Sequence, residues 1–532
     1  MSLNKLLPPA LLGILCHLII KRNEPRRLTS NLVLGCLVLP LIVARSTNPR
    51  DIVFSYIVLY STWISSVVLY RLSPLHPLAR FPGPVLAKVS KLWGVWVSSR
   101  GHQHLVLKSL HDKHGPIVRI GPNELSICDS DAVLSVLGAE GLPKGTYYDA
   151  RQDPTAPRNL IVLRGEEHAQ RRKLWNRGMS SESLLEYAEV ISKRALQLSE
   201  KLEAAGDQVD LAAWIGYFSF DFMGDMAFGG GFEMLRDRGD KDGLWEVMDS
   251  FTYAAALVSH VPWGALAIQR LSWVAKPLLA LRKFGVDCAT KRIKQGATKK
   301  DLWYHLTAEA GLEKTRPLVP NVIAEGALAI IAGSDTAATA LCALMYLLLT
   351  HPDALKRARE EIDSVYPPGS NALDTRLHDQ LHFLQSCTSE ALRLHPPVPT
   401  NGPRIVPLGS KGKVIAGQFI PEGTQIYVPP YCLHRDPRYF SPSPDQFIPE
   451  RWFKEGAADN LAFIPFSYGP ANCVGRNLAR QEILMVTSLL LQQFDIEIAE
   501  KEDFVPSVFE DALHDQFVCS RGKLRVRLSK RS

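Results

Sequence analysis

Residues 52–70 are nineteen consecutive positions without a charged side chain. Coiled as a helix, they reach about 28 Å, close to the roughly 30 Å hydrocarbon thickness of a bilayer. The segment has no polar face, which leaves a fully buried core helix or a membrane span. Trp63 and several tyrosines favour the span. Two shorter apolar segments precede it. Residues 6–20 contain Pro8, Pro9 and His17, and residues 31–44 contain Pro40. Region 1–71 is therefore expected to be a membrane region with one to three spans, the best at 52–70. A cleaved leader fits poorly, because only Lys5 precedes the first apolar run and two more runs follow. Lys21, Arg22, Arg26 and Arg27 lie between segments one and two, Arg45 and Arg50 between two and three, and Arg71 and Arg80 after the third. By the positive-inside rule, everything after Arg71 faces the cytosol. Residues 72–84 hold four prolines and make a stiff, non-helical hinge.

From residue 85 to 532 the pattern is mostly helical. Helical periodicity covers about 166–178, 182–204, 210–228, 318–350, 352–365 and 380–394, and another helix follows Cys473 to about Phe494. The stretch "GPIVRIGPNELSICD" (115–129) reads as a hairpin, a second β region covers about 403–428, and "LRVRLS" (524–529) closes the chain. An extended, proline-rich stretch joins Tyr427 to Trp452. The expected fold class is mainly α with small β-sheets, in a single large domain behind the N-terminal anchor. No βαβ alternation and no phosphate-binding glycine motif occurs, so the chain is not expected to hold a dinucleotide itself. Its net charge of +7 is scattered, without a dense basic run, so no nucleic acid partner is expected. Nine cysteines without a CxxC pair argue against a four-thiolate zinc site and for reduced thiols.

Four stretches carry chemistry. In "ALAIIAGSDTAATALCALMYLLL" (327–349), Gly333, Ser334, Asp335, Thr336 and Thr339 interrupt an apolar helix. A second membrane span is disfavoured by the central carboxylate. A cavity-lining helix with Asp335 and Thr336 placed to pass protons is the functional reading. In "SEALRLHPPVP" (389–399), Glu390 and Arg393 share a helix face, and "FIPERW" (447–452) adds Arg451. A surface ion pair is the plain alternative to a buried network. In "GEEHAQRRKLWNRGMS" (165–180), His168 and Arg172 lie four residues apart, while Arg404 and His434 follow on other segments. Each is a solvated charge unless an anionic group gathers them. In "PFSYGPANCVGRNLA" (465–479), Cys473 sits between Gly469 and Gly475 before a helical run. A structural thiol, half a disulfide, a zinc ligand and the single ligand of something larger are all open.

In this order and spacing the four stretches resemble the cytochrome P450 family of haem-thiolate monooxygenases, from about Phe81 to the end. The hinge, the anchor and the HRDP stretch (434–437) are similar to those of the microsomal, eukaryotic branch, and the multi-segment N-terminus to that of fungal members. The resemblance implies a haem-binding monooxygenase domain at 85–532, with iron protoporphyrin IX held by the Cys473 thiolate. It implies that Phe466 packs beside the sulfur, and that Gly469 and Gly475 let the loop approach where a Cβ would clash. Ala471 stands where the family usually has an Arg or His for a haem propionate, so Arg172, Arg404 and His168 are expected to carry that recognition. Glu390, Arg393 and Arg451 are structural in this reading.

The implied reaction inserts one atom of O₂ into a lipophilic small molecule, such as a terpenoid of fungal secondary metabolism. Electrons come from NADPH through a separate NADPH–cytochrome P450 reductase, with cytochrome b5 as a second candidate donor, at the endoplasmic reticulum membrane. A haem-thiolate isomerase or dehydratase and a non-catalytic haem carrier are the rivals. Expected cavity walls are 141–164 with the hydroxyls of Tyr147 and Tyr148, 213–223, 250–263, 324–336, 398–405 and 510–518.

Overall fold

A 32-residue helix, Val319–Thr350, runs through the centre of the domain. The most apolar window of this helix is 67% buried, whereas that of Pro49–Leu72 is 17% buried. Similar hydropathy thus serves opposite ends: one helix is the core, the other leaves its apolar surface open. The structure is a computed structural model describing residues 3–22, 30–151, 156–268, 271–296, 300–309, 311, 313, 316–453, 460–499 and 506–531. Arg26 and Arg27, two of the charges used for orientation, lie outside the described residues.

The fold is mainly helical with small sheets. The expected helices occur as Gly165–Gly178, Ser181–Glu203, Leu211–Phe228, Val319–Thr350, Pro352–Val365, His382–Leu394 and Arg476–Gln493. Local chemistry sets their ends. The Ser180 side chain accepts from the Ser183 N–H, and Asp210 accepts from the Ala212 N–H. Pro352 ends the long helix at His351, since a residue before proline avoids the α region. Leu184, Tyr187, Ile191, Leu198 and Leu202 bury one face of Ser181–Glu203 in the main core.

The hairpin Ile117–Gly121/Glu124–Ile127 joins Gln425–Tyr427 in parallel, and Arg404–Ile405 adds an antiparallel edge. A second core cluster packs on this sheet. Gln208–Asp210, Arg525–Lys530 and Phe494–Ile498 form an antiparallel sheet that ties the chain's end to the helical side. The stretch from Tyr427 to Trp452 is less extended than expected: Pro430–His434 is a short helix and Pro449–Phe453 a 3₁₀ turn. Sequence periodicity did not resolve Leu244–Ser259 and Ser272–Gln295, which roof the cavity described below.

The three N-terminal segments are helices Leu3–Arg22, Ser30–Ala44 and Pro49–Leu72. They pack on one another. Gly13 lies so close to Leu59 and Thr62 that a Cβ would meet the Leu59 carbonyl at 2.6 Å. Pro40 has no N–H for the Cys36 carbonyl one turn back, and Tyr60 Oη donates to that carbonyl at 2.7 Å. His17 Nδ1 meets Ser66 Oγ at 2.7 Å. After Leu72 the chain turns repeatedly, as the prolines require, and docks on the domain: Leu78 and Phe81 are buried in the sheet-side core. The Arg119 guanidinium, itself buried, donates to the carbonyls of Arg71 and Pro122 and so joins the helix end to the hairpin turn.

Candidate active site

The loop carrying Cys473 is held from three directions. The Cys473 N–H donates to the Phe466 carbonyl (2.8 Å) and the Asn472 N–H to the Gly469 carbonyl (3.1 Å). Gly469 has φ +70°, and a Cβ on it would lie 2.0 Å from the Leu137 carbonyl, so both the turn and the close approach demand glycine. From Gly165–Gly178, Arg172 donates to the Asn472 carbonyl and to its side-chain Oδ1, each at 2.7 Å. Gly475 works differently from expectation. Its φ is −85° and no atom lies within 4 Å of where a Cβ would stand. Its N–H faces the thiol instead, and with Arg172 and Arg476 it opposes the burial that pushes the Cys473 thiol up.

Cys473 opens onto a cavity of about 620 Å³. Phe466, Ala471 and Gly475 line the same wall, and Gly333 and Thr336 line it from the long helix. The Thr336 hydroxyl donates to the Ala332 carbonyl one turn back (2.6 Å). Asp335 is not among the lining residues. It turns the other way, 3.1 Å from the Arg521 guanidinium. The acid–hydroxyl pair is therefore split across the helix, because adjacent residues lie about 100° apart around a helix axis.

His168, Arg172 and Arg404 converge on this cavity, joined by Lys144, which sequence reasoning missed. Lys144 pairs across an isolated bridge with Arg404 at the sheet edge. A lone lysine between Pro143 and Gly145 carries no signal by itself; only strand pairing places it. Burial, then Arg404, Arg164 and Arg172, push Lys144 down to about 7. Burial, Lys144, Arg172 and Arg404 hold His168 at about 4. Arg404 is 8% exposed and its Nε has no partner among the described residues. Glu325, the acid whose charge reaches Lys144, is engaged by Arg171 (2.7 Å), the Trp175 indole (3.0 Å) and the Leu160 N–H (3.2 Å). A group of basic side chains that disfavour one another's charge and lack a carboxylate partner among the described residues fits an anionic ligand. With a sulfur ligand and the open space at Gly475 on the same cavity, the residues fit haem and its two propionates.

His434, weighed with these donors, is elsewhere. It is fully buried, accepts from the Ile464 N–H at Nε2 (3.0 Å) and donates from Nδ1 to the Arg393 carbonyl (3.2 Å). Glu390, Arg393 and Arg451 form a buried cluster. Glu390 accepts from Arg393 Nε and Nη2 (each 2.8 Å) and from Arg451 Nε (2.9 Å).

The sequence profile described as Cytochrome P450 matches residues 82–525. The chain belongs to the cytochrome P450 family. It is 35% identical to cytochrome P450 monooxygenase cpaH of Aspergillus oryzae, over 86% of this chain and 90% of that one. It is 30% identical to cytochrome P450 67 of Uromyces fabae, over 96% of both. It is also 30% identical to tryprostatin B 6-hydroxylase of Aspergillus fumigatus, over 90% of this chain and 86% of that protein. As a cytochrome P450 monooxygenase, the protein is a haem-thiolate oxidoreductase.

Glu482, on the helix after the cysteine loop, also lines the cavity and was not anticipated. It is 2% exposed, and among the described residues its one hydrogen-bond partner is the Ser219 hydroxyl at 3.2 Å. Burial without a cation pushes it up to about 8 from an ordinary 4.5. A carboxyl raised in the folded state contributes stability below its unfolded pKa and loses it as pH rises through the folded pKa. Glu482→Gln should therefore leave stability near pH 5 unchanged and relieve a loss of up to about 4 kcal/mol towards pH 8. Urea unfolding of both proteins across this range checks it; parallel pH profiles would show that Glu482 is ionised in the fold.

Proposed function

We propose that this cytochrome P450 inserts one oxygen atom from O₂ into a lipophilic small molecule, a secondary metabolite of terpenoid type, with Cys473 as the thiolate that would hold the haem iron. One observation carries the reading: a single thiol and a cluster of four carboxylate-free basic groups face one predominantly apolar cavity. When bound, haem supplies the oxygen activation, and its thiolate ligand raises the electron density at iron. The chain does the rest. Phe466 and Val474 flank the sulfur on the cavity wall, and Lys144, His168, Arg172 and Arg404 fix the propionates. Thr336 Oγ1 holds a proton at the cavity wall, and Asp335, steadied by Arg521, supplies protons from the other side of the helix. Glu390, Arg393 and Arg451 keep the proline-rich loop in register with the helix that carries Glu390.

Electrons reach the domain from NADPH–cytochrome P450 reductase, with cytochrome b5 as a second donor. Pro49–Leu72 spans the endoplasmic reticulum membrane, with 1–71 as the membrane region, 72–84 as the hinge and the 85–532 domain in the cytosol. The apolar, largely unburied surface of that helix and the docked turns after Leu72 support this arrangement.

Three outcomes are expected. The reduced carbon monoxide complex should show the red-shifted band of a thiolate-ligated haem, and Cys473→His should bind haem without that band; a Cys473→Ala protein that keeps the band sinks the assignment. Thr336→Ala should release more peroxide and give less product per NADPH, with coupled turnover down by as much as about 10²-fold. Simultaneous measurement of NADPH, O₂, peroxide and product reads this, and unchanged coupling removes Thr336 from the proton path. Deleting residues 1–71 should move the protein from the carbonate-resistant membrane pellet to the supernatant; full-length protein already in the supernatant refutes the span.

A further inference from the structure

Away from the cysteine, the cavity holds a cation that the haem reading leaves unused. Arg151 ends the 3₁₀ segment Thr146–Arg151 and lines the cavity. Its guanidinium carbon lies 4.2 Å from the centre of the Phe517 ring and 5.0 Å from that of Tyr147. Of its five N–H donors, one on Nη2 is engaged, donating to Tyr147 Oη at 2.9 Å. Its Nε is buried without a partner.

Among the described residues, the acids nearby are all committed. Asp149, two residues before, pairs with Arg164 at 2.7 Å. Asp515 takes the Thr400 hydroxyl on one oxygen and the Phe517 N–H on the other. Glu482 is the single carboxylate among the described lining residues, and it belongs to the cysteine helix. Arg282 also lines the cavity and already has an interaction of its own. The aromatic partner is placed under strain: Phe517 has φ +82°, in a region that bulky residues avoid, held there by the Asp515 carboxylate. The Phe517 and Tyr147 rings thus orient the guanidinium, and its remaining donors have no acceptor among the described residues.

A guanidinium enclosed by rings, with a planar fork of unused donors, matches a carboxylate, which it binds by two parallel hydrogen bonds. We infer that Arg151 anchors an anionic substrate: a lipophilic molecule whose carboxylate sits on Arg151 while its apolar body extends towards Thr336 and the haem face. This rests on the monooxygenase reading and narrows its substrate class from neutral terpenoid-like compounds to lipophilic acids.

The probes are decanoic, dodecanoic and tetradecanoic acids and indoleacetic acid, each beside its methyl ester. Binding to the full-length, haem-loaded protein is followed by equilibrium dialysis and by the shift of the haem Soret band. At least one acid should bind about tenfold or more tightly than its ester. Arg151→Gln should remove that preference while ester binding stays unchanged, which also reports an intact cavity. Arg151→Lys should keep part of it. Equal binding of every acid and its ester in the unaltered protein, or a preference surviving Arg151→Gln, overturns the assignment. The carbon monoxide band is read on the same samples. Its absence together with Arg151-dependent acid binding by dialysis rejects the monooxygenase reading and upholds the carboxylate site. A normal band without acid preference does the reverse.

Discussion

Glu390 is a carboxylate with no solvent exposure, and the lower half of the domain hangs on it. Its two oxygens accept from Arg393, Arg451, the Trp452 indole (2.9 Å) and the Ile448 N–H (3.0 Å). Burying such a charge is costly unless every lone pair is used, and removing one partner exposes the whole penalty. Saturation therefore makes the arrangement nearly all-or-none. Arg393 spends its other donors on the carbonyls of His434 (2.7 Å) and Gln446 (3.0 Å) and on that of Pro444. His434 then passes the constraint on, from the Arg393 carbonyl to the Ile464 N–H at the entrance of the cysteine loop. A helix, a proline-rich loop and the loop carrying the thiol are positioned by one chain of hydrogen bonds.

The cavity shows the opposite use of charge. Lys144, His168, Arg172 and Arg404 are brought together without a carboxylate among them, and burial first, then their mutual repulsion, lowers Lys144 and His168. Such a cluster stores unfavourable energy that an anion relieves, so it is a site in waiting. Ala471 bears on this. The loop offers no cation at that position, while Lys144 faces the same cavity from the sheet edge. The Arg172 side chain does double duty, because its guanidinium also holds the Asn472 carbonyl next to the cysteine.

Much of this was legible in the sequence, and the gaps have physical causes. The helices whose apolar faces pack on the main core appeared in the 3.6-residue period. Leu244–Ser259 and Ser272–Gln295 did not, since they roof a cavity and keep apolar side chains towards both the cavity and the exterior; Leu281 and Val286 line the cavity, while Leu279 and Ile293 stay exposed. Of the expected cavity walls, stretches around Tyr148, Met223, Phe251, Ala324–Thr336, Val398 and Phe517 line it, while Leu278–Val286 was not foreseen. Tyr147 does not line the cavity; it braces Arg151.

By itself the sequence determined which residues stand at fixed distances along the chain. The glutamate and arginine one helical turn apart, the glycines around Cys473 and the uncharged run at 52–70 are local patterns, and local backbone geometry turns each into a structural statement. Only the tertiary structure decided what meets across long separations. It set Lys144 beside Arg404, turned Asp335 to Arg521 and away from the cavity, and put Arg151 between two rings. Those outcomes depend on strand pairing, helix rotation and the competition of several acids for each cation. These are properties of packing, and no spacing along the chain encodes them.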